Sequence, residues 1–600
     1  MILVEAENFD NLGGWVVDQQ FMDQMGSPFL MAHGLGIPVA DATTKVRFDT
    51  PGTYHVWVRT RDWSGPWKTD ERRAQAPAED YPGRFQLSIN GNSLETVFGT
   101  GKADWHWQYG GAVSLPEGPA EIALHDLTGF NGRCDAIIFT TDEAPALPDD
   151  GPELSLLRRK LTGFDGEPIR AGQFDLVVAG GGIAGICTAV SAARHGLRVA
   201  LIHNRPLVGG NNSSEVRVQL GGKVNLPPYP RIGNLVNELD PQQGQNARPA
   251  AEYKDYLKLD LVQKEEGVAL FLNTQVTEAL MEGNRIKGIE TQHTRTGQRL
   301  YFEAPLFVDC TGDANLGYLA GADFRVGRES RAETGESIAP EEADQMTMGS
   351  SVMWYSVEEE GQRFTFPETS WALQFTDKTS QKARKGDWDW ETGLGRDQIK
   401  EFEYIRDYGL RAVFGNWSFL KNKSQLQEDF RSRRLEWVAY IAGKRESRRL
   451  MGDVVLQQQD IDNSTVFPDA AVTTTWSIDL HHPKIIPDFT DEPFRARCVK
   501  TKIEPYAIPY RCFYSRNIGN LMMAGRNISV THVALGTVRV MKTTGMMGEV
   551  VGMAASVCIK HDASPREVFE KYLDELKDLL RKGVPSVSPE EALTEKQESL

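Results

Sequence analysis

The sequence predicts a multidomain chain. An N-terminal antiparallel β-sandwich of jelly-roll type is followed by an α/β domain of Rossmann type that carries an α+β substrate or cap region. Three observations predict it. Residues 1–145 are built of short alternating apolar runs separated by turn residues. Glu143 to Pro152, EAPALPDDGP, is proline-rich and aperiodic and marks a boundary. From Phe174 onward, continuous apolar runs alternate with helix-forming segments, as strands buried on both faces of a parallel sheet require.

In the first module, Thr53 to Thr60 (TYHVWVRT), Phe85 to Asn90 (FQLSIN) and Glu121 to Leu127 (EIALHDL) alternate with the period of half-buried strands. Asn90-Gly91 is a hairpin turn signal. No long amphipathic helix is evident here. Trp15, Trp57, Trp63, Trp67, Trp105 and Trp107 all fall in this quarter of the chain. Such rings either fill a core or stack on a flat ligand. Residues 146–172 read as a linker, with a short helix at Leu154 to Lys160. The second domain is expected over 173–582, its cap at about 350–510, and a polar tail over 583–600.

The second domain opens with FDLVVA (Phe174 to Ala179), then GGGIAG, a helix, and a second buried strand, LRVALIH. Gly180, Gly182 and Gly185 form GxGxxG between strand and helix. The first glycine allows the tight turn, the second lets backbone approach a pyrophosphate, and the third lets helix and strand pack closely. The helix N-terminus favours the anion. The acidic residue that usually binds ribose should end the second strand, but His203-Asn204 stand there, followed by Arg205. His203 or Asn204 would then bond the ribose, and Arg205 would face a phosphate. Further on, Ala269 to Gln292 reads as strands around Gly283-Asn284, and Leu306 to Asp313 as a strand ending in a polar glycine turn. A strand from Leu521 leads to a small-residue helix, Thr543 to Lys560.

Composition excludes several classes of function. The 600 residues carry a net charge of −17, against the basic surface that nucleic-acid or anionic-membrane binding needs. Leu176 to Ala193 is long enough to span a bilayer, but its three consecutive glycines suit a soluble strand–loop–helix better. Six cysteines lie far apart with no CxxC pair, which reads as free thiols rather than a zinc or iron–sulfur site. MILVEAENFD lacks the basic and apolar regions of a secretory leader, so the expectation is cytoplasmic.

NRPLVGGNNSSEVRV (Asn204 to Val218), VDCTGDANLGYLAGADFRVGRES (Val308 to Ser330), GKRESRRLMGDVVLQQQDI (Gly443 to Ile461) and LMMAGRNISVTHVALGTVRVMKTTGMMGEVVGMAAS (Leu521 to Ser556) occur in that order. Together they resemble the bacterial FAD-dependent oxidoreductases with a glutathione-reductase-type flavin fold, distantly similar to fumarate reductase flavoproteins. The resemblance spans about Phe174 to Lys560 and implies FAD. It assigns Gly209 and Gly210 to the pyrophosphate and ribityl chain, Val276 to a backbone contact near adenine, and Thr311, Gly312 and Asp313 to the nucleotide. Gly525 and Arg526 would meet the cofactor at the last strand, and the helix starting near Arg539 to Met541 would aim its amides at the flavin. No histidine lies between Gly209 and Val218, where fumarate-reductase relatives attach flavin, so the FAD is expected to be non-covalent. VEAENF (Val4 to Phe9) and GRCDAIIFTTD (Gly132 to Asp142) resemble the first and last strands of golvesin-like and other carbohydrate-binding sandwiches. That resemblance implies either a structural calcium on Glu5 or Glu7 with Asp135, or merely solvated strand-edge charges.

For catalysis, His532 in SVTHVALGTVR would move a proton beside the flavin, with His482, Arg449 and Tyr510 as further candidates. WSIDLHHP offers Asp479, His481 and His482; adjacent histidines on an extended segment point to opposite sides, which argues against metal. Arg511 beside Tyr510 is another candidate, and Trp388, Asp389, Trp390 and Glu391 (WDWE) resemble a lid or substrate wall. The expected reaction is oxidation of a CH–OH of a sugar or glycoside by hydride transfer to flavin, with an electron acceptor the sequence does not specify. The alternatives are reduction of an activated C=C, with Arg449 or Arg539 clamping a carboxylate, and a glycan-binding flavoprotein without turnover.

Overall fold

The computed structural model describes residues 1–69, 77 and 80–585. Two four-stranded antiparallel sheets build the N-terminal sandwich. One runs Ile2–Glu5, Ala136–Thr140, Gly52–Thr60, His106–Leu115. The other runs Ala42–Phe48, Gly118–Asp126, Phe85–Ile89, Asn92–Ser93. Alternating residues of both sheets, among them Phe48, Val56, Leu87, Ile122 and Phe139, meet in one core. A third sheet orders Gly132–Cys134, Phe29–Ala32 and Val16–Asp18. Its middle strand is buried on both sides. Leu30 and Ala32 join the sandwich core, whereas Phe29 and Met31 join an aromatic core in the second domain, as the two-residue strand period dictates.

The expected linker is structured. Gly151–Thr162 is a helix whose Arg158 returns to the sandwich. Its guanidinium lies 2.7 Å from Glu5 Oε2 and also bonds Asp135, which takes a second guanidinium, Arg59, at 2.6 Å. Arginine therefore supplies the positive charge that the calcium expectation assigned to a metal. The strand Ile169–Gln173 already belongs to a sheet of the second domain, pairing with Arg299–Glu303, so the expected boundary at 172/173 falls inside a strand. At the other end, Val584 is part of the second domain's core; positions 586–600 of the expected tail lie outside the described residues.

That domain is centred on a five-stranded parallel sheet in the order Val268–Phe271, Val199–Ile202, Leu176–Ala179, Leu306–Asp309, Leu521–Met523. The helices Ile183–Arg194 and Met541–His561 pack closely against each other. The approach needs glycine: a Cβ at Gly548 would lie 2.3 Å from the Ala184 carbonyl oxygen. The cap holds the helix Phe402–Asn422, buried along most of its length, its Trp417 packed on Trp354 and its Phe414 on Trp371.

Cap and sandwich are joined by a buried chain of alternating charges. Asp18 pairs with Arg406 at 2.6 Å, Arg406 with Asp407 at 2.8 Å, and Asp407 with Arg133 at 2.6 Å. Arg133 then pairs with Glu403 at 2.6 Å and Glu403 with Arg61 at 2.7 Å. Trp63, Trp67 and Trp105 lie in the same interface: Trp63 meets Trp371 edge-on, and the other two donate to Tyr404 and Glu403. Among the described residues no helix is long and apolar enough to cross a membrane.

Candidate active site

One cleft of about 450 Å³ runs from the glycine-rich loop to the cap. Gly180, at φ +103°, makes the turn out of the first strand where a Cβ would lie 2.3 Å from the Cys310 carbonyl oxygen. Gly185 does not line the cleft; a Cβ there would strike the Gly180 carbonyl oxygen at 1.7 Å, so its role is packing. At Gly182 the nearest neighbour to a Cβ is Gly210 Cα at 3.9 Å, so the substituent would point into open cleft. Gly182 also begins the helix Ile183–Arg194, which has no side-chain cap and no acidic residue in its first turn. Free amides, glycine walls and a cleft of this length fit the pyrophosphate of a dinucleotide.

Asn204, Arg205, Gly209, Gly210, Val276, Thr311, Gly312, Asp313, Gly525, Arg526, Arg539 and Met541 all line the cleft. Asp313 is held by Lys444 at 2.7 Å and by Arg526 at 2.5 Å. Burial pushes its carboxyl up, but these two cations hold it below the usual carboxylate range. His203 also borders the cleft, yet its ring is committed. Nδ1 accepts from the Gly181 amide at 3.0 Å, and Nε2 lies 2.9 Å from the Leu207 carbonyl. Burial, with Arg205 nearby, lowers its pKa to about 3. His203 is thus a neutral tie between loop and strand, with no ring nitrogen left for a ribose hydroxyl. The helix Met541–His561, likewise without a side-chain cap or first-turn acid, presents its N-terminus to the other end of the cleft.

At that end stands an antiparallel pair, Ile478–Pro483 with Ala496–Thr501. Its register sets Asp479 opposite Lys500 and His481 opposite Cys498, so all four share one face, and all four line the cleft. His481 Nδ1 lies 2.6 Å from Glu391 Oε2, while Nε2 lies 3.1 Å from Arg539 Nη2 and 3.4 Å from Asp479 Oδ1. Glu391 is fully buried and also lies 3.4 Å from Arg445. Burial raises the carboxyls of Glu391 and Asp479, but Arg445 with His481, and His481 with Arg539, hold them low. The Cys498 thiol bonds Asp479, and burial with that carboxylate pushes it up to about 12, so it stays protonated. Asp479, His481 and Cys498 have the spacing of a metal triad, but the Arg539 guanidinium already occupies their common side. Trp388 and Trp476 wall this end.

The four catalytic candidates lie elsewhere. His532 is buried at the start of the helix His532–Val538, its Nδ1 2.9 Å from Glu446 Oε2. Arg449 belongs to the same buried cluster, at 2.6 Å from Glu446 and 2.8 Å from Glu329. Neither side chain lines the cleft. Tyr510 is fully buried and donates to the Pro565 carbonyl, and Arg511 pairs with Asp469. His482 faces away from His481, opposite Arg497 on the neighbouring strand. Of WDWE, Trp388 lines the cleft and Glu391 supports His481, whereas Asp389 pairs with Arg495 and Trp390 packs on Phe494. Sequence reasoning missed Arg445, Trp476, Cys498 and Lys500. It chose His482, which does not line the cleft, although strand alternation links His481, not His482, to Asp479.

No curated protein sequence matches the chain. Among solved structures, a geranylgeranyl bacteriochlorophyll reductase-like protein from Thermoplasma acidophilum is similar at 13% identity and a TM-score of 0.32, over 68% of this chain and 83% of its own. The myxobacterial chondrochloren halogenase, described as a variant of FAD-dependent halogenases, is similar at 14% identity and a TM-score of 0.32, over 66% of this chain and 78% of its own. A family 35 carbohydrate-binding module from Paenibacillus barcinonensis is similar at 15% identity and a TM-score of 0.18, over 24% of this chain and 100% of its own. Such scores describe distant likeness and carry no functional argument. A family model described as FAD dependent oxidoreductase matches residues 175–580, the parallel sheet, cap and small-residue helix together, and the chain belongs to that family of FAD-dependent enzymes.

Proposed function

We propose that the enzyme oxidises a CH–OH group of a carbohydrate-like substrate, with His481 as the base. The observation that carries this reading is the Glu391–His481 dyad, whose Nε2 side opens on the cleft beside Arg539. FAD, held without a covalent link along the glycine-lined half of the cleft, supplies the two-electron acceptor for a hydride. Glu391 fixes the proton on Nδ1, and the Nε2 lone pair, which accepts from Arg539, takes the hydroxyl proton once the Arg539 guanidinium turns to the substrate oxygen. Glu391 and Asp479 then stabilise the imidazolium. Arg445 and Arg539 orient the substrate oxygen, and the rings of Trp388 and Trp476 suit the apolar face of a sugar.

The test is anaerobic stopped-flow reduction of the bound flavin by a panel of sugars, polyols and glycosides. A substrate that bleaches the wild type should do so ~10²–10⁴-fold more slowly with His481→Asn, while FAD content and fold stay unchanged. No bleaching by any member, or an unaltered rate in the variant, would overturn the reading. A second reading is favoured by the convergence of Arg445, Arg539 and Lys500: reduction of an activated C=C in a carboxylate substrate. It predicts the opposite readout, with an unsaturated carboxylate reoxidising chemically reduced flavin.

A further inference from the structure

The sandwich does more than abut the flavin domain. Residues Gln19 to Gln24, between its strand Val16–Asp18 and the cap, form one wall of the cleft. Several bonds fix this segment. Gln20 donates to the Tyr440 carbonyl at 2.9 Å and accepts from the Ala442 amide at 3.1 Å. Asp18, which anchors Gln20 at 2.9 Å, is itself ion-paired to Arg406. Phe21 and Met25 are buried in the cap's aromatic core. A helical turn, Met22–Met25, closed by Gly26 in the left-handed conformation, leaves Asp23 on the cleft side.

Asp23 stands beside the strand that carries Val276. Its Oδ1 accepts from Gln275 Nε2 at 3.2 Å, and that same nitrogen donates to the Val276 carbonyl at 3.2 Å. No hydrogen bond is formed to Asp23 Oδ2 among the described residues. The side chain is accessible through the cleft, yet enough protein surrounds it to raise its pKa, with Lys444 opposing the rise. Meanwhile the usual place for a ribose carboxylate holds His203-Asn204, and the His203 ring is fully bonded.

We propose that Asp23, contributed by the N-terminal sandwich, is the acidic residue that accepts a hydrogen bond from the adenosine half of FAD. It takes the role that a carboxylate at the end of the second strand fills in other dinucleotide folds. The sandwich is then part of the cofactor site.

The experiment measures dissociation constants of the apoprotein for FAD, FMN and ADP by flavin fluorescence and calorimetry, for wild type, Asp23→Ala and Asp23→Asn. Loss of one charged hydrogen bond should weaken FAD and ADP by about 10- to 100-fold in Asp23→Ala and leave FMN, which lacks adenosine, within about 2-fold. Asp23→Asn, which keeps an acceptor oxygen, should lose less and covers the case of an alanine variant that folds poorly. Comparing ADP with 2′-deoxy-ADP and inosine diphosphate tells a ribose hydroxyl from the adenine amine. Equal weakening of FAD and FMN, or unchanged FAD affinity, would overturn the proposal. It rests on this cleft being the FAD site. That reading fails on its own terms if Gly182→Glu keeps its FAD, whereas FAD loss in Gly182→Glu with full affinity in Asp23→Ala fails only the role of Asp23.

Discussion

Replacing Arg133 by methionine is the most direct probe of how firmly the sandwich is held. Its fully buried guanidinium makes two bonds to Asp407, at 2.6 and 2.9 Å, and one to Glu403 at 2.6 Å. In the buried chain three guanidinium groups alternate with three carboxylates. Methionine fills much of the space but leaves one buried carboxylate uncompensated. Removing one partner of such a pair costs about 3–5 kcal/mol, roughly a 1–2 M fall in urea midpoint at an m-value near 3 kcal/mol/M. The assay is urea unfolding followed by tryptophan fluorescence, since Trp63, Trp67 and Trp105 all lie in this interface. A 600-residue chain need not unfold in one step, so the transition to read is the one these rings report. Adding Asp407→Asn restores the balance of charge and should recover about 1–3 kcal/mol relative to the sum of the single variants. The pH dependence has a fixed sign. In the wild type, burial pushes the Asp407 carboxyl up, but Arg133 and Arg406 hold it below the usual range. Its contribution is therefore complete above the unfolded value of about 3.9 and is lost as pH falls through the depressed one. Without Arg133 the folded value rises and protonation relieves the buried charge. The gap between wild type and variant should be widest near neutrality and narrow in acid. A loss under about 1 kcal/mol, or strict additivity in the double variant, would refute the argument that this interface is a balanced buried network.

Two further outcomes follow from the geometry. Gly182→Glu should give folded but colourless protein, because the new side chain projects into the open cleft beside Gly210, where its charge would oppose the pyrophosphate; full FAD occupancy in that variant would refute the assignment. Arg158→Ala should lower the melting temperature of the sandwich by leaving Glu5 and Glu7 beside Asp135 with Arg59 as the remaining guanidinium, while a chelator should not change the wild-type melt; a chelator-sensitive melt would reinstate a metal at these carboxylates.

Much of the fold was legible because its signals are local. A continuous apolar strand, a glycine loop and a small-residue helix leave few options, and Gly180, Gly209 and Gly525 all lie along one cleft. The errors arose where a side chain's partners are distant in sequence. His532 and Arg449 look well placed beside their motifs, but Glu446 and Glu329 bury both in a separate cluster. His203 stands at the ribose position, but the Gly181 amide and the Leu207 carbonyl occupy its ring. The choice between His481 and His482 was open to the period of a strand, since Asp479 and His481 share a face. Nothing local marked Asp23, whose partner Gln275 lies 252 positions away.

The tryptophan-rich module illustrates why composition alone does not assign a role. Six tryptophans in a sandwich fit sugar stacking as well as core, and sequence does not separate these. The structure gives Trp63, Trp67 and Trp105 to the cap interface, and packs Trp15 on Phe85 and Trp57 on Tyr109. The same surface buries Phe21, Phe29 and Met31 against the cap. Separating the two bodies would expose these rings along with the ionic chain, and each large apolar side chain returned to water costs about 1.5–3 kcal/mol. The interface therefore behaves as a core shared by two domains rather than as a hinge. The wall of the cleft that carries Asp23 stands on this shared core, because Asp18 is ion-paired to Arg406 and Phe21 and Met25 are buried among the cap's aromatic side chains on either side of it.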